Sequence, residues 1–384
     1  MKLAQPVTIA IDPALSLLAL ALLLIGLVAI GSASIEYSDW HYQDAWQLTR
    51  RHLLYIVIAV SAAAVVYRLP SNFWLVTGWM WLLVGLAFLV LVLLPGIGKE
   101  VKGAQRWLPI GPFTFQPSEF AKLTVVVYLA GYLVRQGQAV REQWSGFFKP
   151  MGVLALVSVL LLAEPDFGAT VIVGVTAFGM LFLAGMRLSH FFLIVLLCPL
   201  AVTALVFAAP YRMQRLTSFT DPWADPYGSG FQLIQSLIAF GRGEWLGVGL
   251  GNSVQKLFYL PEAHTDFVFS IWAEETGFLG AFGLIVLFAA LITRILWVAR
   301  QAEAAGQAFG AYICYGVALV FSGQAFVNMG MSAGLLPTKG LTLPFVSYGG
   351  TSLIICCCML ALVLRISNEL PAQRPRTAVR EERS

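Results

Sequence analysis

Charge is scarce in this sequence. Asp, Glu, Lys and Arg make up 11% of its 384 residues, whereas an average soluble domain holds roughly 25%. The net charge is only +4 and is spread along the chain. Nucleic acid is therefore not expected as a partner, because it is bound by concentrated basic patches. A large soluble domain is not expected either.

Cysteines and nucleotide-binding motifs are rare or missing. The five cysteines all fall inside apolar runs, where they are interpreted as small buried hydrophobes. They show neither a disulfide framework nor metal-ligand spacing. The sequence has no G-x-x-x-x-G-K-S/T loop, which excludes nucleotide binding by that route. It also has no recognised Ser or Cys nucleophile motif.

Apolar residues dominate instead, at 59% of the chain, and the mean hydropathy is +0.79. Most of the apolar runs approach the roughly 20 residues that a helix needs to cross a bilayer, and they do not alternate as barrel strands do. The sequence therefore predicts an all-α, polytopic membrane protein with ten transmembrane helices. Their approximate limits are 14–33, 52–69, 73–94, 117–134, 150–163, 168–186, 189–208, 267–296, 307–329 and 346–365.

The distribution of basic residues predicts the orientation. With a cytoplasmic N-terminus, thirteen Lys and Arg residues fall in inner segments and six in short outer loops, as the positive-inside rule requires. Both termini are then cytoplasmic. Residues 1–370 are predicted to form one transmembrane domain, and the polar, basic stretch 371–384 a disordered cytoplasmic tail.

Three irregular segments, 95–122, 209–266 and 328–352, emerge together on the outer side, where they could assemble one site. The first is broken into loop by glycine and proline, and Pro117 then starts a helix. The second is a large extracytoplasmic connection between helices 7 and 8. It contains the pattern of an amphipathic helix, with Ser236 on the polar face and an apolar face of Phe231, Ile234, Leu237 and Ile238. The third is too rich in glycine and proline for regular helix.

Ionisable residues cluster before the eighth apolar run, in the stretch LPEAHTDF. Asp266 is interpreted either as the N-cap of the following helix or as a catalytic general base, and both interpretations stay open. His264 is interpreted mainly as a structural or hydrogen-bonding residue, because a metal site would need more ligands than Glu262 can add. Glu274 and Glu275 are expected to face protein or water rather than lipid.

Other candidates lie in the outer segments. Arg106 and Trp107 could contact an anionic headgroup and a sugar ring, although Trp is also an ordinary residue of membrane interfaces. Glu119 and Lys122, three residues apart, most simply form an ion pair that shapes a cavity wall. Asp166 is interpreted mainly as a turn residue, with a site role as the alternative. The cations available to bind an anionic group such as a pyrophosphate are Lys256, Arg212, Arg215, Arg242 and Lys339.

Four blocks of this sequence resemble the SEDS family of bacterial cell-wall glycosyltransferases, and the resemblance covers nearly the whole chain. The Glu262-Ala263 form of LPEAHTDF is more similar to the division branch of that family than to the rod-elongation branch. A mild departure is Ala273, where members often carry glycine. The blocks are GAQRWLPIGPFTFQPSEFAK at 103–122, EPDFGAT at 164–170, GVGLGNSVQKLFYLPEAHTDF at 247–267 and NMGMSAGLLPTKGLTLPFVSYGGTS at 328–352.

This resemblance implies a peptidoglycan glycosyltransferase that polymerises lipid II on the outer face of the cytoplasmic membrane. The family's essential aspartate falls on Asp266, its RW pair on Arg106 and Trp107, and its QPSE-x-x-K block on Glu119 and Lys122. Substrate contacts are expected from the RW pair together with Lys256, His264, Arg212, Arg215 and Lys339. Support of the site is expected from Glu119, Lys122, Asp166 and Glu262.

The resemblance also implies partners and a location. A class B penicillin-binding protein is expected to crosslink the strands, within a septal complex that includes the small bitopic divisome proteins. No cofactor is certain, but a divalent cation, Mg or Mn, could assist the leaving group. Two other functions are left open, a lipid flippase or transporter and a non-catalytic scaffold, and so is an elongation-type polymerase.

Overall fold

The chain folds into a bundle of long helices with a small sheet at one end. This computed structural model describes residues 12–101, 103–111, 113–207, 213, 217–338 and 340–370. The helices are α1 Pro13–Tyr42, α2 Gln47–Arg68, α3 Ser71–Leu93, α4 Pro117–Glu142, α5 Trp144–Ala163, α6 Phe167–Leu183, α7 Leu188–Phe207, α8 Phe231–Gly243, α9 Val268–Ala304, α10 Ala308–Ser332 and α11 Gly350–Glu369, with a 3-10 turn at Pro222–Ala224. The predicted tail 371–384 lies outside the described residues.

Every predicted span falls on one of these helices, and α8 is the predicted amphipathic helix. Among the described residues, seven helices are long and apolar enough to cross a membrane, and α6 is a shorter apolar helix. The helices extend beyond several of the approximate limits: α1 continues to Tyr42 and α5 begins at Trp144. Helical hydrogen bonding there runs past the apolar stretch, because polar residues at a membrane boundary can continue a helix. The helical, polytopic fold class is confirmed.

The core lies where α4, α10 and α11 meet. In the apolar part of α11, 72% of the residues are buried, against 11% in α2, so α11 is central and α2 peripheral. Close approach is made by small residues: a Cβ on Gly316 of α10 would lie 2.6 Å from the Val126 side chain of α4. Helices in lipid associate through this kind of tight packing.

The segment 95–122 was predicted to be loop, and this is wrong for part of it. It contains a three-stranded antiparallel sheet with the second strand in the centre. The turns are possible because Gly103 and Gly111 adopt φ values of +76° and +59°, which glycine reaches without steric cost. Glycine therefore marks tight turns here rather than open loop. The strands are β1 Lys99–Val101, β2 Ala104–Ile110 and β3 Phe113–Phe115.

Helix α9, predicted as one continuous span, is interrupted at Gly277, where φ is 69° and ψ is −168°. The connection before the helix satisfies the freed backbone groups. Phe278 N donates to Glu244 O at 2.8 Å, and Val248 N donates to Glu274 O at 3.0 Å. Non-helical backbone in a membrane protein is tolerated where protein supplies such partners.

Segment Phe231–Gly243 is helical, as its spacing of apolar residues predicted, but the division of α8 into a buried and an exposed face differs from the prediction. Ser236, assigned to the polar face, is completely buried, whereas Ile238 is 36% exposed. The reason is a hydrogen-bonded contact: Ser236 Oγ lies 2.6 Å from Ser270 Oγ and donates to Ser332 O at 2.6 Å. A buried hydroxyl with such partners joins α8 to α9 and α10.

Candidate active site

A polar cavity of about 350 Å³ opens at the end of the bundle where α4, α6, α9 and α11 begin. The sheet, the start of α8 and the loop before α11 complete its wall. Five of the residues singled out in the sequence lie in the lining, namely Arg106, Trp107, Asp166, Glu262 and Asp266. The three irregular segments therefore do assemble one site.

Asp266 lies in the wall immediately before α9. The N-cap position belongs to Phe267, without a side-chain capping bond, so the interpretation of Asp266 as the N-cap is wrong. Its carboxylate lies against the loop before α11, since a Cβ on Gly340 would be 3.2 Å from Asp266 Oδ2. Its backbone oxygen accepts a hydrogen bond from Asn328 Nδ2 at 2.8 Å. The residue borders the cavity.

A tight turn sets the direction of this carboxylate. Glu262 has a φ of 58°, in the left-handed region that few non-glycine residues adopt. Its backbone oxygen accepts from Thr265 N and from Phe267 N, both at 3.2 Å. Thr265 Oγ1 also donates to Glu262 Oε2 at 2.6 Å. Glu262 thus shapes the turn that presents Asp266, and both glutamate and threonine line the cavity.

Arg106 projects from β2 and holds the turn between α5 and α6. Its Nε donates to Glu164 O at 2.9 Å, and a terminal nitrogen donates to Pro165 O at 2.5 Å. The guanidinium fork therefore fixes the turn backbone from two points. Trp107, the next residue, also borders the cavity.

Asp166 caps α6, as a turn residue would, and also lines the cavity. Its Oδ1 accepts from Ala169 N at 3.0 Å, and its Oδ2 accepts from Ser118 Oγ at 2.9 Å. The adjacent Glu164 is fully buried. Burial, and then the charge of Asp166, raise the pKa of Glu164 to about 9 against an opposing effect of Arg106. Glu164 is therefore a neutral carboxylic acid at pH 7.

Glu119 and Lys122 form the expected ion pair, with Lys122 Nζ 2.8 Å from Glu119 Oε1. Both side chains are buried, 1% exposed for the lysine and 6% for the glutamate. They lie in the first turns of α4, below the cavity lining. Neither residue is part of the cavity lining.

Lys256 was predicted to contact substrate, but the structure places it outside the cavity lining. Its Nζ lies 3.0 Å from Glu275 Oε1 and donates to Ser32 Oγ and Gly251 O. The neighbouring Glu274 accepts from Val254 N at 3.1 Å. Both glutamates face protein, as expected. The cation predicted for a pyrophosphate is used here to neutralise a buried carboxylate.

The remaining candidate residues differ in where the structure places them. His264 lies beside the cavity lining, with its ring 4.8 Å from Tyr37 and 5.9 Å from Tyr348. Arg242 lies 3.4 Å from Glu274 Oε1 and is not part of the lining. Arg212, Arg215 and Lys339 lie outside the described residues.

Sequence reasoning missed several lining residues, all uncharged. Tyr348 borders the cavity, and burial, with nearby Tyr55, raises its pKa to about 12, so the phenol stays protonated and can donate. Thr351 Oγ1 accepts from Gln116 N at 3.1 Å and donates to Thr114 O at 3.1 Å, which ties α11 to the sheet. Their blocks had been singled out, but hydroxyl and amide residues carry no charge signal within an apolar chain.

Among the described residues, no group of three or more His, Cys, Asp or Glu side chains is arranged to hold a metal ion. The carboxylates of the lining are instead occupied separately: Asp166 caps a helix and Glu262 accepts from Thr265.

The structure is that of an integral membrane protein with a polar cavity at one end of its helical bundle. The chain belongs to the FtsW/RodA/SpoVE family. The family model, described as "Cell cycle protein", matches residues 13–371.

Comparisons with curated proteins and solved structures agree with this family. The chain is 57% identical over 319 residues to "Probable peptidoglycan glycosyltransferase FtsW" of Pseudomonas fluorescens (83% of this chain, 78% of that protein). It is 54% identical over 336 residues to the protein of the same name in Hahella chejuensis (88% and 85%). A chain described under "Structural coordination of polymerization and crosslinking by a peptidoglycan synthase complex" has a TM-score of 0.77 at 32% identity (95% and 99%). The rod shape determining protein RodA of Thermus thermophilus has a TM-score of 0.70 at 28% identity (96% and 100%).

Proposed function

We propose that this protein is a peptidoglycan glycosyltransferase that polymerises lipid II into β-1,4 glycan strands, with Asp266 as general base. The observation that carries the proposal is the position of Asp266, in the wall of a polar cavity at the end of a membrane-spanning bundle. The high identity to proteins named peptidoglycan glycosyltransferase supports the reaction class.

The chemistry needs one base and a good leaving group. The 4-hydroxyl of the acceptor sugar attacks the anomeric carbon of the donor; a new C–O bond forms as the bond to pyrophosphate breaks. The hydroxyl proton passes to the Asp266 carboxylate, which is a suitable general base. Because the donor is α-linked and the product β-linked, one inverting displacement suffices, and a covalent intermediate on a second carboxylate is not required.

The leaving group is undecaprenyl pyrophosphate, which gains negative charge in the transition state. Fixed donors aimed at that charge would lower the barrier. Arg106 is the lining cation in the described part of the chain, and its fork is already bonded to the turn at Glu164 and Pro165. Additional cations are expected from Arg212, Arg215 and Lys339. The contribution of a divalent cation remains a prediction.

A lipid substrate fits the architecture. An undecaprenyl tail would remain in the bilayer beside the apolar helices, while the headgroup enters the cavity at the end of the bundle. The excess of basic residues on the opposite side supports a cavity that faces outward, with both termini cytoplasmic.

The division branch of the family and enrichment at the septum are the preferred assignment. The curated relatives above are named FtsW, at 54–57% identity, whereas the identity to the RodA structure is 28%. The Glu262-Ala263 form supports the same branch. A class B penicillin-binding protein is the expected partner, together with the bitopic divisome proteins, and the fold similarity to a chain of a peptidoglycan synthase complex supports such an assembly.

The test is reconstitution in vesicles with fluorescent lipid II, with and without the transpeptidase partner. Asp266→Asn, which keeps shape and removes basicity, is expected to lower strand synthesis by about 10²–10⁴-fold. Asp221→Asn, an exposed aspartate of the same long connection, is the matched control and should polymerise normally. Synthesis at the wild-type rate by Asp266→Asn would remove Asp266 from its role. Lipid movement across the vesicles without polymer would establish a flippase instead.

A further inference from the structure

Asn328 of α10 is a buried amide at the back of the cavity wall. Its side chain is completely inaccessible to solvent. Its Nδ2 donates two hydrogen bonds, to Asp266 O at 2.8 Å and to Leu341 O at 2.6 Å. A side-chain amide nitrogen has two protons to give, so both are used. The orientation of the amide follows, because the opposite one would place oxygen against two carbonyls.

The two carbonyls belong to the two chain segments that meet at the Asp266 carboxylate. One belongs to the peptide of Asp266 itself. The other belongs to the loop in which Gly340 packs against the carboxylate, with 3.2 Å from a Gly340 Cβ to Asp266 Oδ2, and in which Thr342 lines the cavity. One amide thus fixes both the backbone that carries the carboxylate and the loop that borders it.

The backbone around Asn328 is fixed by further hydrogen bonds. Ser332 Oγ donates to Asn328 O at 2.9 Å, and Ser236 Oγ donates to Ser332 O at 2.6 Å while contacting Ser270 Oγ at 2.6 Å. These bonds link α10 to α8 and to the first turn of α9. Asn328 therefore acts from a point that is fixed relative to the start of α9, where Asp266 lies.

We propose that Asn328 is a positioning residue for the base: it holds the Asp266 carboxylate at the distance from which the acceptor hydroxyl is deprotonated. The inference rests on the proposed function, since it assumes that Asp266 is the base. Loss of both hydrogen bonds frees the carboxylate and the loop beside it to shift. A shift of about 1 Å from the reacting atoms lowers a rate by about 100-fold.

The experiment compares two amide-to-leucine substitutions on one face of α10. Asn328→Leu removes both bonds. Gln324→Leu is the matched control, because Gln324 lies one turn away and is equally buried, yet its amide has no hydrogen-bond partner among the described residues. Asn328→Leu is expected to lower kcat by about 100-fold with KM for lipid II within about threefold. Gln324→Leu is expected to leave both values within about threefold of wild type.

The outcomes separate the possible roles. A folded Asn328→Leu protein with wild-type kcat, or one in which KM rises while kcat is unchanged, overturns the proposal. If this variant does not fold, Asn328→Asp serves instead: it is nearly isosteric but can donate at most one hydrogen bond, so a wild-type kcat in that variant also overturns it. Asp266→Asn is measured in parallel. An active Asp266→Asn protein refutes the proposed base, whereas an inactive one beside a fully active Asn328→Leu protein refutes the positioning role alone.

Discussion

Replacing Lys256 by methionine should lower the free energy of unfolding of the protein, and should not act on the glycosyl transfer itself. The side chains of Lys256 and Glu275 are 5% and 1% exposed, and their charged atoms lie 3.0 Å apart. Without the lysine, Glu275 Oε1 keeps Ser32 Oγ at 2.6 Å and Ser253 N at 3.4 Å, but its charge is no longer balanced. An uncompensated buried charge destabilises a protein by about 3–5 kcal/mol.

The double variant Lys256→Met, Glu275→Gln distinguishes a structural lysine from a substrate contact. Removing both charges is expected to restore the free energy of unfolding to within about 1–2 kcal/mol of wild type, because a buried pair replaced as a unit is often neutral. Strand synthesis by the double variant should then be nearly normal.

Denaturant titration of the protein in detergent micelles gives the free energy of unfolding, and the vesicle assay gives the rate of strand synthesis. The matched control is Arg50→Met, which breaks the exposed Arg50–Asp44 pair and should change stability by about 1 kcal/mol or less. Two results would refute the reasoning: a Lys256→Met protein as stable as wild type, or a stable double variant that makes no glycan. The second result would favour the original prediction that Lys256 contacts the substrate.

Two further predictions concern the cavity wall. Burial raises the pKa of Glu164 from 4.5 to about 9, so the wild-type free energy of unfolding should fall as pH rises between these values, because the unfolded chain ionises while the folded one does not. Glu164→Gln should therefore gain stability relative to wild type as pH rises over that window. A stability difference that is the same in unfolding curves at about pH 5, 7 and 9 would contradict this. Gly340→Ala places a Cβ 3.2 Å from Asp266 Oδ2; it should displace this carboxylate and lower kcat by about tenfold. The control Gly283→Ala, whose added Cβ meets nothing within 4 Å, should leave kcat unchanged. Equal kcat values for the two alanine variants would count against a displaced carboxylate.

The helices were predictable because each depends mainly on its own apolar run. The turn at Asp166 and the helix start at Pro117 were predictable for the same local reason, since cap and proline effects act within a few residues. The sheet was not predicted, although glycines mark the turns between its short strands. There the same residue type is compatible with open loop and with a hairpin, and the pairing of β2 with both neighbours decides between them.

The site was predictable in its location and less so in its contacts. Asp266, Arg106 and Trp107 line one cavity, and they could be singled out because charged and aromatic residues stand out in an apolar chain. The use of Lys256 could not be foreseen, because its partner Glu275 is reached only after the chain has turned into α9. Asn328 was missed because an uncharged amide in a helix shows its role only through the two distant carbonyls that it binds.

The gap in α9 at Gly277 has a consequence for how the chain is made. The groups that close the gap, Glu244 O and Val248 N among them, leave the ribosome before the helix does. These hydrogen bonds can form only after α9 has been synthesised, because their other partners, Phe278 N and Glu274 O, belong to that helix. The membrane helices of this protein are therefore not all complete when they are synthesised, since the backbone of α9 at Gly277 is satisfied by a segment that precedes it in the chain.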